Sequence, residues 1–274
     1  MSRYTPIPPE NFCGIPDEYS RYETSRAVIF PVPLERTTSH QQGARNGPAA
    51  ILAASRNLEL YDEELQLEPY KEIGIHTLAP IDTMDGGLGE VITELFTAES
   101  GLLDDNKFPV ALGGEHALTP PLVSAVAQKY KDLSVLHIGA HAELRNEYQG
   151  YPASPACAMR RVVEMCPAVQ VGIRSISADE ARAIPQLKTQ VYWAKDVARL
   201  PLKSWIAKVL ADLSPSVYVT IDLGGFDPSI MPATASPEPV SYTHLDVYKR
   251  QDGNGLRNAT RNRGHAAARR RRYR

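Results

Sequence analysis

Three predicted strands are each followed by side chains that can bind a metal ion. These are His116 after residues 108–112, His141 and Glu143 after residues 134–138, and Asp222 after residues 217–221. A single histidine after a strand is more often structural, so the prediction depends on three such segments occurring together. In a parallel sheet the three carboxyl ends share one edge, where ligands bind. Imidazole and carboxylate suit a divalent ion such as Mn²⁺, so we predict a metal site there.

The elements that must position these residues alternate between short apolar runs and longer helical patterns. The predicted strands are Ala27–Val32, Ile73–Leu78, Phe108–Leu112, Ser134–Ile138, Val169–Ile173, Gln190–Trp193 and Val217–Ile221. The predicted helices are Pro48–Leu58, Leu88–Ser100, Pro121–Lys131, Ala156–Met165, Ala178–Ile184 and Leu202–Leu213. Strands rich in Val, Ile and Leu without alternation are typical of burial on both faces. We therefore predict an α/β protein with a parallel sheet between helices, preceded by an extended arm of about 25 residues.

Length and composition indicate a globular protein. The 274 residues suffice for one large α/β domain or two small ones, and 43% are hydrophobic, as in an average domain. Cys13, Cys157 and Cys166 match neither a disulfide framework nor a zinc knuckle. The sequence contains neither a signal-peptide pattern nor an apolar run approaching about 18 residues. We therefore predict a cytoplasmic protein without a membrane partner.

The net charge of −2 conceals an acidic body and a basic end. From Lys249 onward there are 10 Lys or Arg and one acidic residue, which leaves 20 of the 30 basic and 31 of the 32 acidic residues before it. Such an end can be a nucleic-acid-binding arm. However, residues 240–251 (VSYTHLDVYKRQ) resemble a translated cloning adaptor. We predict one domain over 1–239, a non-native or disordered tail over 240–274, and no nucleic-acid partner.

Four segments together resemble the arginase/agmatinase (ureohydrolase) family, and agmatinases in particular. They are VPLERTTSHQQGARNGPAAI (32–51), GGEH (113–116), AHAELRNEYQG (140–150) and VYVTIDLGGFDPSIMPAT (217–234). The resemblance covers about residues 20–239. It implies a three-layer α/β/α fold with an eight-stranded parallel sheet, whose C-terminal part is incomplete here. It also implies two Mn²⁺ ions bridged by hydroxide, hydrolysis of a guanidinium group to urea and an amine, and assembly as trimers or hexamers.

The sequence departs from the family's pattern at several positions that the resemblance assigns to the site. Gly139 and Glu143 stand where the second signature, Asp-Ala-His-x-Asp, has its two aspartates. Gly224 stands at the second aspartate of the third signature, Asp-x-Asp-x-x-Asp-Pro. The family's Ser-His-Ala segment reads Ser-Pro-Ala at 154–156, so a histidine that acts near the substrate is missing. The family's substrate-facing glutamate would lie downstream, in the region that the tail replaces.

The ligands that remain decide how much metal chemistry the resemblance implies. One ion would keep His116, Glu143 and Asp222, whereas the other would keep only His141 and Asp222. Glycine offers no side-chain ligand, and the glutamate at 143 is one carbon longer than the family's aspartate. We therefore expect at most one Mn²⁺ in this chain, because losing carboxylates leaves a second cation uncompensated.

Three further residues near the second signature have open roles. Arg145 and Asn146 either line the mouth of a substrate site, as in the family, or are solvated loop residues. His137, one residue before the strand end, is predicted to point away from the neighbours of His141 and to be a core or supporting histidine. No catalytic residue is assigned from the sequence.

Three hypotheses about function follow. The first is an agmatinase-like hydrolase by descent, impaired or inactive in this form, acting on a small guanidino substrate such as agmatine to give putrescine and urea. The second is a non-catalytic ureohydrolase homologue that serves as a binding or structural subunit. The third is that the substitutions and the tail have one technical origin. A homo-oligomer is expected in the first two cases.

Overall fold

The computed structural model describes residues 11–38 and 41–238, and the tail predicted for 240–274 lies outside the described residues. Strands and helices alternate along the described chain. The strands are β1 (Ala27–Val32), β2 (Ile75–Thr77), β3 (Phe108–Gly113), β4 (Leu133–Ile138), β5 (Ala168–Ile173), β6 (Thr189–Trp193) and β7 (Ser216–Ile221). The α-helices are α1 (Gly47–Ser55), α2 (Pro69–Ile73), α3 (Leu88–Asp104), α4 (Thr119–Lys129), α5 (Ala158–Met165), α6 (Ala178–Ala183), α7 (Ala194–Val197) and α8 (Leu202–Asp212).

The strands predicted from apolar runs are all present, whereas two short helices were not predicted. The first, α2, begins with Pro69 and includes Ile73, which the sequence had assigned to a strand. The second, α7, has only four residues, so neither is long enough to display a helical period. The predicted extended arm is also partly wrong, because 3₁₀ turns form at Phe12–Gly14 and Asp17–Tyr19.

All the strand pairs are parallel, but the described strands form two sheets instead of one. Their orders are β2-β1-β3 and β6-β5-β4-β7. In the described part of the chain no strand lies between β3 and β7, which are the adjacent ends of the two sheets. The expected single sheet is therefore divided at this position.

Helices cover both faces of the sheets, which gives the three layers that the sequence predicts. On one side, α4 and α5 pack through Val123 and Val162 against β4 and β5. On the other side, Val209 of α8 packs against Val169 and Val171 of β5. Within residues 11–38 and 41–238, no helix is long and apolar enough to cross a membrane.

The two sheets are joined by α4 and by contacts at the carboxyl ends of their strands. Tyr218 of β7 packs against the apolar clusters of both halves. The Thr119 and Thr220 hydroxyl oxygens, which belong to α4 and β7, lie 3.3 Å apart. A continuous cavity of about 1520 Å³ runs between β3 and β7 and opens at the strand ends. The candidate site lies at this opening.

Candidate metal centre

The turn after β3 is built around a glycine and a buried carboxylate. A Cβ atom at Gly114 would lie 2.1 Å from the Leu34 carbonyl oxygen, so a side chain cannot fit there. Glu115 is buried, and its carboxylate accepts hydrogen bonds from the Thr37 backbone N–H and hydroxyl. These contacts hold the segment after β1 against the turn. They place His116 at the start of the 3₁₀ turn that leads into α4.

The turn after β4 brings Glu143 against His116. The Oε2 atom of Glu143 lies 2.6 Å from Nδ1 of His116, and the two side chains are only 8% and 11% exposed. Glu143 adopts φ +53°, a left-handed conformation in which aspartate and asparagine are enriched among non-glycine residues. The backbone thus has a shape that favours the shorter aspartate, although the longer carboxylate still reaches the histidine.

The charge state of His116 follows from its neighbours. Burial disfavours the charged imidazolium, but the carboxylates of Glu143 and Asp222 outweigh it and raise the pKa of His116 to about 9. Its other nitrogen, Nε2, lies 2.9 Å from the hydroxyl oxygen of Thr220. At neutral pH the imidazolium therefore forms an ion pair with Glu143, and it also links β7 to the turn after β3.

His137 belongs to the same cluster, and the prediction that it points away is wrong. It is fully buried, and its ring centroid lies 5.1 Å from that of His116. Residues two apart on a strand project to the same face, so His137 shares a face with Gly139. A Cβ atom at Gly139 would lie 2.4 Å from Nε2 of His137. The imidazole therefore occupies space that a side chain at position 139 would need.

Among the described residues, three candidate ligand side chains converge. His116, His137 and Glu143 each offer one ligand atom, and these three atoms lie within 4.8 Å of one another. Gly139 and Gly224, which stand at two aspartate positions of the family's pattern, supply no side-chain ligand. A pair of ions would therefore lack two of the carboxylates that the family's pattern supplies, and the expectation of at most one ion stays a prediction.

The other two predicted ligands, His141 and Asp222, lie on the same cavity. His141 is partly exposed, and its Nε2 atom lies 3.6 Å from Oε2 of Glu238. Asp222 accepts a hydrogen bond from the Gly224 backbone N–H at 2.8 Å. Neither belongs to the three-residue group whose atoms meet within 4.8 Å. Their role as ligands remains a prediction.

The two predicted substrate residues are in different surroundings. Arg145 lines the cavity, and its guanidinium carbon lies 5.2 Å from the centre of the Tyr148 ring. Asn146 is exposed, and its Oδ1 accepts a hydrogen bond from Arg161 at 2.8 Å. Arg145 is thus placed to meet a ligand, while the side chain of Asn146 is held by a neighbouring helix. Substrate binding by either residue remains a prediction.

Arg174 and Glu238 shape the site but were not selected from the sequence. The Arg174 guanidinium donates to the carbonyl oxygens of Gly225 at 3.0 Å, Gly224 at 3.2 Å and Glu238 at 3.2 Å. It therefore fixes the turn after β7 to the last described residue. The sequence could have indicated Arg174 by its position, because this residue follows the carboxyl end of β5 at the same edge as the predicted ligands.

The fold and the site define the class of protein to which the chain belongs. It is a three-layer α/β protein with histidine and carboxylate side chains at the carboxyl ends of parallel strands. Residues 25–253 match the family model described as the arginase family. The chain belongs to this family.

Individual relatives agree with this assignment. The N(1)-aminopropylagmatine ureohydrolase of Synechocystis sp. is 35% identical over 88% of this chain and 84% of its own length. The agmatinase of Bacillus cereus is 34% identical over 82% of this chain and 77% of its own length. The crystal structure of the agmatine ureohydrolase of Thermoplasma volcanium has a TM-score of 0.72 and 28% identity, covering 80% of this chain and 74% of that one.

Proposed function

We propose that this chain is an agmatinase-like hydrolase of a guanidino group by descent, with impaired or absent activity in this form. One observation carries the proposal. The strand ends assemble a histidine and carboxylate site on a large cavity, but glycines at 139 and 224 stand where the family's pattern has aspartates. The ancestral reaction adds water to the guanidinium carbon and releases urea and an amine. We propose a cytoplasmic homo-oligomer, trimeric or hexameric by family.

The proposed substrate is a small guanidino cation. The carboxylates of Glu143, Glu180 and Asp222 all line the cavity, and such groups favour a guanidinium. Agmatine is the first candidate, and its hydrolysis would give putrescine and urea. The name of the Synechocystis relative adds N1-aminopropylagmatine as a second candidate substrate. Mn²⁺ is the ion that the family resemblance implies for this chemistry.

A non-catalytic homologue, acting as a binding or structural subunit, is the alternative. The His116–Glu143 contact of 2.6 Å favours it. The imidazole and the carboxylate, which could otherwise bind an ion, pair with each other instead. Pro155, at the position of the family's histidine, also lines the cavity without offering a proton.

Urea release from agmatine and from N1-aminopropylagmatine, with added Mn²⁺, tests these proposals. We expect turnover at or near background for the unchanged chain. The combined variant Gly139→Asp, Glu143→Asp, Gly224→Asp and Pro155→His should recover metal binding more than turnover, because such groups act as a unit. Gly89→Asp, in open space on α3, is the matched control for an added aspartate. Strong urea release by the unchanged chain, or by Gly224→Asp alone, would contradict the proposal.

A further inference from the structure

The His116, His137 and Glu143 cluster differs from the pair of Mn²⁺ sites that the family resemblance implies. We propose that this chain binds a single divalent ion of the zinc or cobalt type through these three side chains. In this site His137 takes the place of the carboxylate that position 139 lacks. The site replaces the family's arrangement and is not a remnant of it.

The first argument is steric. Because a Cβ atom at Gly139 would lie 2.4 Å from Nε2 of His137, an aspartate there and the present imidazole position exclude each other. The absence of a side chain at 139 is thus what allows His137 to reach the cluster. The substitution removes one ligand and admits another from two residues earlier on the same strand.

The second argument is that the converging atoms are buried and only partly satisfied. His116 Nδ1, His137 Nε2 and Glu143 Oε2 have no hydrogen-bond partner beyond the contact between His116 and Glu143. Buried polar groups without partners are uncommon and costly. Here Nε2 of His137 has no partner, His116 and Glu143 have only each other, and one ligand atom of each residue lies within 4.8 Å of the others. A cation between them would satisfy all three.

The third argument concerns which ion these ligands prefer. Two imidazoles and one carboxylate favour zinc, cobalt or nickel, whereas oxygen-rich sites suit manganese. Exchanging an aspartate for an imidazole therefore shifts preference away from Mn²⁺. The charge is also appropriate for one ion, since the carboxylates of Glu143 and Asp222 together balance a single divalent cation.

Binding requires two small adjustments around the cluster. Ligand atoms of a tetrahedral ion lie roughly 3.3 Å apart, so the His116–Glu143 contact must open from 2.6 Å. The Gln170 side-chain amide lies 3.0 Å from Nδ1 of His137 and donates to the Ala142 carbonyl at 2.8 Å. When Nε2 binds an ion, Nδ1 carries the proton, so Gln170 must turn its oxygen toward it. Binding also releases the Nδ1 proton of the His116 imidazolium to solvent, and bonds to the ion then replace the ion pair between His116 and Glu143.

Metal titration of the full chain, stripped with a chelator and without a histidine tag, tests the inference directly. We expect one equivalent of Zn²⁺ per chain, bound at least roughly tenfold more tightly than Mn²⁺. X-ray absorption at the zinc edge should show two imidazole ligands. Preferred binding of Mn²⁺, two equivalents of either ion, a single imidazole, or no binding would each overturn the inference.

Two variants and a control assign the second imidazole to His137. His137→Gln should weaken Zn²⁺ binding at least roughly tenfold and abolish the rise in melting temperature that Zn²⁺ gives. His76→Gln is the matched control, because His76 is also fully buried with an unsatisfied Nε2 but lies outside the cluster; it should keep that rise. Unchanged zinc binding in His137→Gln would overturn the inference.

If His137→Gln does not fold, Gly139→Asp provides an independent test of the inference. It should displace the His137 ring and shift the preference from Zn²⁺ toward Mn²⁺, and an unchanged preference would overturn the inference. None of these measurements depends on urea release. Failure of the proposed hydrolytic ancestry and failure of this metal site are therefore distinguishable.

Discussion

Position 139 on the strand end illustrates how one missing side chain changes the role of its neighbour. His137 is fully buried and would be an ordinary core histidine if residue 139 carried a carboxylate. With glycine there, Nε2 of His137 lies within 4.8 Å of the ligand atoms of His116 and Glu143. The surroundings of the cluster thus depend on residues 137 and 139 together, and neither residue alone indicates them.

The ion pair between His116 and Glu143 predicts how stability depends on pH in the metal-free protein. The folded-state pKa of His116, about 9, lies above its ordinary value of 6.5. Its contribution is therefore complete below pH 6.5 and is lost as pH rises through about 9. The free energy of unfolding should fall across this interval by up to roughly 1.4 kcal/mol per pH unit.

Denaturant titrations at several pH values in chelator check this prediction. The comparison is between the unchanged chain and His116→Gln, which should lack the His116 contribution. Groups that do not interact with His116 titrate alike in both proteins, so their effects cancel, and the difference reports His116 together with its partner Glu143. A difference that does not change between pH 6.5 and 9 would show that another group titrates.

At the residue scale, spacing sufficed to place the candidate ligands on one cavity, but it could not give the contacts that depend on the local turn. His116, His141, Glu143 and Asp222 were chosen because they follow strand ends, and all four line one cavity. That Glu143 contacts His116 could not be predicted, because the contact depends on a left-handed φ of +53°. The role of His137 depends on empty space beside it, which the sequence letters do not show.

Among the elements, α3 carries a buried carboxyl on its apolar side. Val91, Leu95, Glu99 and Leu102 all face the interior, at the spacing of one helical stripe. Burial raises the pKa of Glu99 to about 8. This carboxyl lines the cavity between β3 and β7, so it lies beside the division between the two sheets.

Glu99→Gln should stabilise the protein increasingly as pH rises. The folded pKa of Glu99 is raised, so in the unchanged chain its carboxyl destabilises the fold progressively from pH 4.5 to about 8. The difference in unfolding free energy between variant and unchanged chain should grow by up to roughly 1.4 kcal/mol per pH unit there. Glu94→Gln, on an exposed position of the same helix, is the control. A pH-independent difference for Glu99→Gln would refute the assignment.

At the scale of elements, the sequence predicted strands with long apolar runs accurately. It missed the short helices and did not locate the division between the two sheets. The bounds of β1 were predicted correctly, because Ala27–Val32 is apolar throughout and lies between Arg26 and Pro33. The short helix α7 was missed, because its four residues cannot show a period. The sequence correctly suggested an incomplete C-terminal part, but only strand pairing locates the division between β3 and β7.

The molecule as a whole is two parallel sheets with adjacent ends that no described strand joins. One face of β7 is also poorly covered, since Val217, Val219 and Ile221 are exposed while Thr220 is buried. The halves are held together by Tyr218, which packs against both core clusters, by α4 and by the turns at the strand ends. Exposed strand edges with apolar side chains promote association with other chains.

Val219→Lys should therefore reduce self-association without unfolding the protein. Val219 is 51% exposed on β7, which pairs with β4 alone among the described strands, and a lysine on such an edge opposes edge-to-edge pairing. The matched control is Ile230→Lys, because Ile230 is 71% exposed but lies beyond the strand. Light scattering against protein concentration should show a later onset for Val219→Lys alone, with melting temperature as the check on folding. If Ile230→Lys delays association equally, the effect is one of general surface charge, and the open edge of β7 is not its cause.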